Sequence, residues 1–250
     1  MKIARLRSNN EIFYAMIKNG KVYPMKGLPY QGVELDGREL DIDNLQYLAP
    51  VEPDKIVAVG LNYAKHAKEM KEDLPENPII FIKPNTTVVG PTDGIFYPGI
   101  SQRVDYEAEL AVVIGKTCKD IKEEEAADYI FGYTCLNDVT ARDLQKKDGQ
   151  WTRAKSFDTF CPIGPCIETE YDWKGKSIKS VLNGEIKQDG NTASLIFEIE
   201  KLISFISSVM TLKPGDVIAT GTPAGIGPMQ KGDTIEIMIE GLDTLRNTVI

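Results

Sequence analysis

The chain has 250 residues, 42% of them hydrophobic and 26% charged, a composition that supplies enough apolar material for a globular core. Lys and Arg total 29 against 37 Asp and Glu, a formal net charge of −8, which argues against a nucleic-acid or anionic-membrane surface. No run approaches the ~20 apolar residues of a spanning helix, and the amino terminus lacks the apolar core of a signal peptide, so a soluble cytoplasmic protein is expected.

In chain order, the first ~48 residues read as a small β unit. Ile12 to Ile17 and Val22 to Met25 flank Lys18-Asn19-Gly20-Lys21, and Asn-Gly supplies the positive φ angles of a tight hairpin turn. Proline marks a connector at Leu48 to Pro53. Ile56 to Gly60 has the pattern of a buried strand, and Asn62 to Lys71 that of a short helix with Asn62 as its cap. Ile79 to Pro84 and Asp105 to Gly115 are further strands. Lys122 to Tyr129 reads as a helix, Phe131 to Leu136 as a strand, and Val139 to Lys147 as a helix. From Thr192 to Leu212 the apolar positions repeat at helical spacing, and Lys213-Pro214-Gly215 ends that run. Val217 to Thr220 and Thr234 to Ile239 close the chain as strands. The sum is an α+β chain, rich in strand and poor in helix.

The residue types that carry chemistry are few. The single histidine is His66, and the four cysteines (Cys118, Cys135, Cys161, Cys166) form no C-x-x-C pair. That set argues against a closed zinc site and excludes a His-rich transition-metal site within one chain. A metal here would be a hard cation held by oxygen, and the cysteines are expected as reduced core residues. Asp105, Glu107 and Glu109 alternate on one strand and so share a face. Adjacent carboxylates repel unless a cation compensates them, although a solvated strand face would also satisfy the pattern. Asp138, between a strand and a helix, fits either a helix cap or a third ligand. His66 and Glu69 lie three apart on one helical face, half of a general-base dyad or an incidental surface pair. Two Gly-Lys-Thr/Ser triplets lack the leading glycine of a phosphate-binding loop, since Leu110 and Glu170 stand there. No nucleophile elbow is present, and Gly221 to Gly227 reads as a tight turn.

Taken together and in order, these motifs resemble the fumarylacetoacetate hydrolase family. They are Gly60-Leu61-Asn62-Tyr63 leading to His66 and Glu69, Phe81-Ile82-Lys83-Pro84, Asp105-Tyr106-Glu107-x-Glu109-Leu110, Asn137 to Gln145, Lys155-Ser156-Phe157-Asp158, Pro162-Ile163-Gly164-Pro165 and Gly221-Thr222-Pro223-x-Gly225-x-Gly227. The resemblance runs from about Val51 to the C terminus and points to the short acylpyruvase and 2-hydroxyhepta-2,4-diene-1,7-dioate isomerase-like branch. It implies a mixed β-sandwich roll with a few peripheral helices, a homodimer, and one divalent cation per chain, Mg²⁺ or Mn²⁺, with Ca²⁺ a further candidate. Residues 1–48 would be a small amino-terminal β domain and 49–250 the catalytic domain.

The family's metal carboxylates fall on Glu107, Glu109 and Asp138, with Asp105 behind them. Its water-activating pair falls on His66 and Glu69, in a segment that acts as a lid. Its polar substrate contacts fall on Arg142, Gln145, Lys155 and Thr222. The resemblance thus implies an enzyme that acts on small 2-oxo acids through an enolate stabilised by the cation. Hydrolytic C–C cleavage of acylpyruvates ranks first, because the intact His66–Glu69 pair suits water activation and isomerisation needs none; Lys155 would protonate the enolate. Oxaloacetate decarboxylation and isomerisation of 2-hydroxymuconate-type diacids use the same enolate and stay open. A metal-stabilised binding protein without turnover is the alternative from another class, and it would lack a base or a third ligand.

Overall fold

Strand pairing, not helix packing, organises the chain in the computed structural model, which describes residues 1–9 and 11–250. The largest sheet runs Leu40–Asp41, Lys21–Pro24, Glu11–Lys18, Lys2–Ser8, Cys161–Glu168, Ile130–Asn137, Ala108–Ile114, Val217–Ala219, Ile56–Gly60 and Ile79–Lys83, with Gln46–Leu48 and Val88–Val89 attached beside this path. A second sheet orders Glu185–Asn191, Ser177–Leu182, Thr234–Ile239, Leu245–Val249 and Gly94–Ile95. A third, small one joins Thr140–Ala141, Val104–Tyr106 and Gly227–Met229.

The strand Ala108–Ile114 is buried along its whole length, which explains its unbroken apolar sequence after Glu109. One of its faces, Leu110, Val112 and Ile114, packs with Ile178, Ile235 and Ile237 of the second sheet and with Leu202, Ile203 and Ile206 of the helix Ile199–Val209. The other, Ala111 and Val113, packs with Ile56, Ala58, Leu136 and Ile163. Each Val, Leu or Ile side chain fully buried here contributes about 1.5–3 kcal/mol. The architecture is the mixed-sheet α+β class expected from the sequence, with the helices at its periphery.

The amino-terminal strands are not a sheet apart. Lys2 and Ile3 pair with Glu168 and Ile167, so the first hairpins extend the large sheet. The expected turn is there, with Asn19 at φ 52° and Gly20 at φ 75° between Lys18 and its partner Lys21. Ala4, Leu6, Phe13, Ala15 and Val22 form a small cluster closed by Cys166. All four cysteines are buried and unpaired, as expected.

Several elements differ from their expected form, each for a tertiary reason. The strand predicted from Asp105 to Gly115 is interrupted at Glu107, where Val104–Tyr106 belongs to the small sheet and Ala108–Ile114 to the large one. At the break, side chains replace ladder partners: the Glu107 N–H donates to Asn137 Oδ1 (2.9 Å) and the Ala108 N–H to Gln188 Oε1 (3.0 Å). The segment from Lys122 forms a 3₁₀ helix over Glu123–Tyr129. The helix expected from Val139 begins at Arg142, because Thr140–Ala141 pairs with Val104 and Asp105.

The long helical pattern from Thr192 forms an α-helix only over Ile199–Val209. Residues 195–197 instead pair with the segment around Asn62: Leu195 bridges Tyr63, the Ile196 N–H donates to Asn62 O, and the Phe197 N–H donates to Asn62 Oδ1 (2.7 Å). Asn62 is therefore not a helix cap. The helix Ala64–Met70 has Tyr63 at its N-cap with no side-chain bond, while Asn62 Nδ2 donates to Phe197 O (3.0 Å) and Thr220 O (2.8 Å). This fully buried amide ties the start of the helix to two distant segments. Asn62→Ala leaves three backbone groups without partners and should cost about 3 kcal/mol, read as a lower urea midpoint at unchanged slope.

Candidate metal centre and active site

Backbone pairing brings the predicted carboxylates together. Ala108 stands opposite Asn137 in the antiparallel pair, and just beyond it the Asp138 N–H donates to Glu107 O (2.9 Å). Glu107, Glu109 and Asp138 each offer one oxygen within 4.8 Å of the others, and all three are buried. Two oxygens bound at ~2.1–2.4 Å to a common ion can span that separation. The helix-cap role for Asp138 is overturned, since its carboxylate accepts from Lys83 (Oδ1, 2.6 Å) and Lys155 (Oδ2, 2.6 Å) and the next helix starts at Arg142. The solvated-face alternative for the strand is overturned by burial.

Cations pair unevenly with the trio. Lys155 Nζ bridges Asp138 and Glu107 Oε2 (2.8 Å), and Arg142 Nη2 donates to Glu107 Oε1. Burial alone pushes the Glu107 carboxyl up, but Lys155 and Arg142 outweigh it and hold the group well below the usual carboxylate range. Glu109 has no cationic partner within 4 Å among the described residues, and it accepts from the Gly221 N–H (2.8 Å). Burial, then the facing carboxylates of Asp138 and Glu107, push its pKa well above the ordinary value. An all-oxygen set containing one uncompensated buried carboxylate fits a hard divalent cation. Asp105 stands behind, held by Arg142 Nε (2.9 Å) and Arg103 Nε (2.8 Å).

The trio lines a cavity of ≈ 420 Å³ together with His66, Arg142, Gln145, Lys155 and Thr222, so the predicted site residues meet, with Glu69 behind the histidine. His66 is 5% exposed, and its Nδ1 lies 3.1 Å from Glu69 Oε2. With Nδ1–H donating to Glu69, Nε2 carries the lone pair and can act as a base. Glu69 is itself fixed by the Gly225 N–H, 3.1 Å from Oε1 and 3.2 Å from Oε2. His66 is buried while Glu69 is exposed, and the anchoring of Glu69 by Gly225 with His66 lining the cavity weighs against an incidental surface contact.

Other assignments need refinement. The Thr222 hydroxyl donates to Ala108 O (2.9 Å) and accepts from Gln188 Nε2 (2.7 Å), so its proton is not free for a ligand. Arg142 is committed to Asp105, Glu107 and Gln145, whereas Gln145, whose Oε1 accepts from Arg142 Nη1 (2.7 Å), keeps its amide N–H groups. Sequence reasoning missed Lys83 and Trp151. Lys83 is fully buried and ends the strand face Ile79, Phe81, Lys83; its charge in an otherwise apolar strand was the available signal.

Protonation makes the centre testable. Because the folded pKa of Glu109 is raised, the stability it contributes is full below its unfolded pKa and is lost as pH rises through the folded value. Glu107 acts oppositely, its contribution being lost as pH falls through strongly acidic values. In EDTA the melting temperature should fall as pH rises from the ordinary carboxylate range toward neutrality. Added Mn²⁺ should reverse this, more strongly at higher pH, because the ion competes with the Glu109 proton. Thermal melts of wild type and Glu109→Gln check both effects, and stabilisation of the variant equal to wild type would remove Glu109 from the ligand set.

Comparison with known proteins identifies the family. Residues 55–250 match the family model described as fumarylacetoacetate (FAA) hydrolase C-terminal, and residues 1–50 match the one described as Rv2993c-like, N-terminal. The chain is 45% identical over 216 residues to the mitochondrial oxaloacetate tautomerase Fahd2a of Rattus norvegicus, covering 82% of this chain and 69% of that protein. It superposes with a TM-score of 0.95 at 42% identity on 5-carboxymethyl-2-hydroxymuconate delta-isomerase from Mycobacterium smegmatis, covering 100% and 99% of the two chains. For maleylpyruvate hydrolase from Sphingobium sp. SYK-6, in complex with manganese(II) and pyruvate, the values are 0.84 and 31%, covering 100% and 99%. On sequence and fold, the chain belongs to the fumarylacetoacetate hydrolase family.

Proposed function

We propose that the chain is a divalent-cation-dependent enzyme for small 2-oxo acids, and that its reaction is hydrolytic cleavage of the C–C bond of acylpyruvates. The observation that carries this reading is that one cavity holds both an all-carboxylate cation site and an oriented imidazole with a free Nε2. A bound Mg²⁺ or Mn²⁺ (Ca²⁺ has the same donor preference) would polarise the oxygens of the 2-oxo acid and stabilise negative charge on its enolate. His66 takes a proton from water, and the Glu69 carboxylate stabilises the imidazolium so formed. The water oxygen attacks the carbonyl farther from the carboxylate, and the C–C bond breaks with its electron pair passing to the pyruvate enolate. Lys155 returns a proton to that carbon. Asp138 and Glu107 raise its pKa against the effect of burial, so it is a charged donor at neutral pH. Gln145 supplies amide N–H groups to the substrate, and the substrate contact of Thr222 is limited to accepting.

A second reading has its own support. Oxaloacetate tautomerisation and hydroxymuconate isomerisation, the activities named for the rat and mycobacterial relatives, require only proton transfer, and His66 and Lys155 both line the cavity. Oxaloacetate decarboxylation would draw on the same enolate. A homodimer and a cytoplasmic location are part of the same proposal. The exposed apolar side chains of Phe96 (53%) and Ile100 (65%), on one segment, support a subunit contact.

Assays of acetylpyruvate cleavage, oxaloacetate tautomerisation and decarboxylation, and isomerisation of a 2-hydroxymuconate-type diacid, with Mg²⁺ and Mn²⁺, rank the readings by kcat/KM. His66→Ala should lower acylpyruvate cleavage by about 10²–10⁴-fold while Mn²⁺ content stays unchanged. Undiminished cleavage would refute the water-activating role. Faster turnover of oxaloacetate or the diacid than of any acylpyruvate would install the second reading.

A further inference from the structure

The cavity has an end that the chemistry above does not use. Ile79, Phe81 and Lys83 alternate on the strand Ile79–Lys83 and so share one face. Lys83 reaches Asp138 at the carboxylate end of that face. Ile79, at its other end, is 38% exposed, and it lines the cavity with Phe81 and Met70. Trp151 also lines the cavity and stands edge-on to Phe81, with ring centroids 5.2 Å apart and planes at 77°. A 2-oxo acid with its carboxylate end at the trio would lay its remaining carbons along this apolar wall. The charged lining residues Glu72 and Lys146 are exposed and belong to the rim.

A glycine distant in sequence places the indole. Gly60 pairs with Ile79 across the two strands, and a Cβ at Gly60 would lie 2.5 Å from Trp151 Cζ3 and 2.7 Å from Cη2. Gly60 is not in the left-handed region, so alanine is compatible with its backbone and the obstacle is the indole alone. The atoms in the way are the far edge of a side chain that itself lines the cavity, so the indole rather than the strand would have to shift.

We propose that Trp151, seated in the notch left by Gly60, sets the length of substrate tail the enzyme accepts, and that this tail is apolar. The inference rests on the 2-oxo acid reading above and refines its substrate class. Each methylene laid on Ile79 and Phe81 gains about fourfold in affinity until the tail meets the indole, where the gain stops.

The test titrates straight-chain 2-oxo acids, pyruvate through 2-oxooctanoate, calorimetrically into Mn²⁺-loaded protein. These probes lack the second carbonyl and cannot be cleaved at the C–C bond. For wild type, affinity should climb by about fourfold per methylene to a break point. Trp151→Ala should move that break to longer tails by at least one methylene, and Gly60→Ala should move it to shorter ones. The opposite directions separate tail gating from a general loss of structure. A common break point in all three proteins, or shifts in the same direction, would overturn the inference and leave the 2-oxo acid reading intact. If no 2-oxo acid binds the wild type, that reading fails and the inference with it.

Discussion

The structure depends on holding several buried carboxylates close together against their mutual repulsion. Asp105, Glu107, Glu109 and Asp138 are all essentially buried, and each ionised group taken out of water costs several kcal/mol unless it is paired. Lys83, Lys155 and Arg142 compensate three of them, with Lys83 and Lys155 at 2.6 to 2.8 Å from Asp138 and Glu107 and Arg142 Nε at 2.9 Å from Asp105. Among the described residues, Glu109 is left with a backbone N–H alone. This leaves, among the described residues, one uncompensated acid at the point where two others face it, a conflict that a hard cation would resolve.

Placing those charges requires strands from different sheets. The interruption at Glu107 lets Val104–Tyr106 and Ala108–Ile114 follow separate sheets while Asp105, Glu107 and Glu109 stay near one another. Asn137 and Gln188 occupy the hydrogen-bonding positions that the break opens, so no ladder group there is lost. Gln188 also donates to Thr222 Oγ1 and Pro223 O, which couples the carboxylate strand to the loop whose Gly225 holds Glu69. The His66–Glu69 pair and the carboxylate trio thus share one hydrogen-bonded framework.

Much of this was legible in the residues. The alternation Asp105, Glu107, Glu109 needed only the period of a strand, and the His66–Glu69 spacing only that of a helix turn. Asn19-Gly20 encoded its turn because few other pairs adopt two positive φ angles in succession. Other elements were misread where a local signal was answered by a distant partner. Asn62 had the local appearance of a cap, yet its amide serves Phe197 and Thr220. The apolar period from Thr192 ran past the true helix because residues 195–197 give their backbone groups to the segment around Asn62.

The sequence by itself determined which chemistry was available: oxygen ligands in abundance, one imidazole, and no thiol pair to compete for a metal. Those limits follow from composition and local spacing, which do not change when the chain folds. Only the tertiary structure decided which carboxylates lose water and which cation compensates each, since desolvation and charge pairing depend on neighbours far apart in the chain. The contact between Gly60 and Trp151 belongs to the same class: neither residue carries a sign of the other until two strands and a helical segment bring them within van der Waals range.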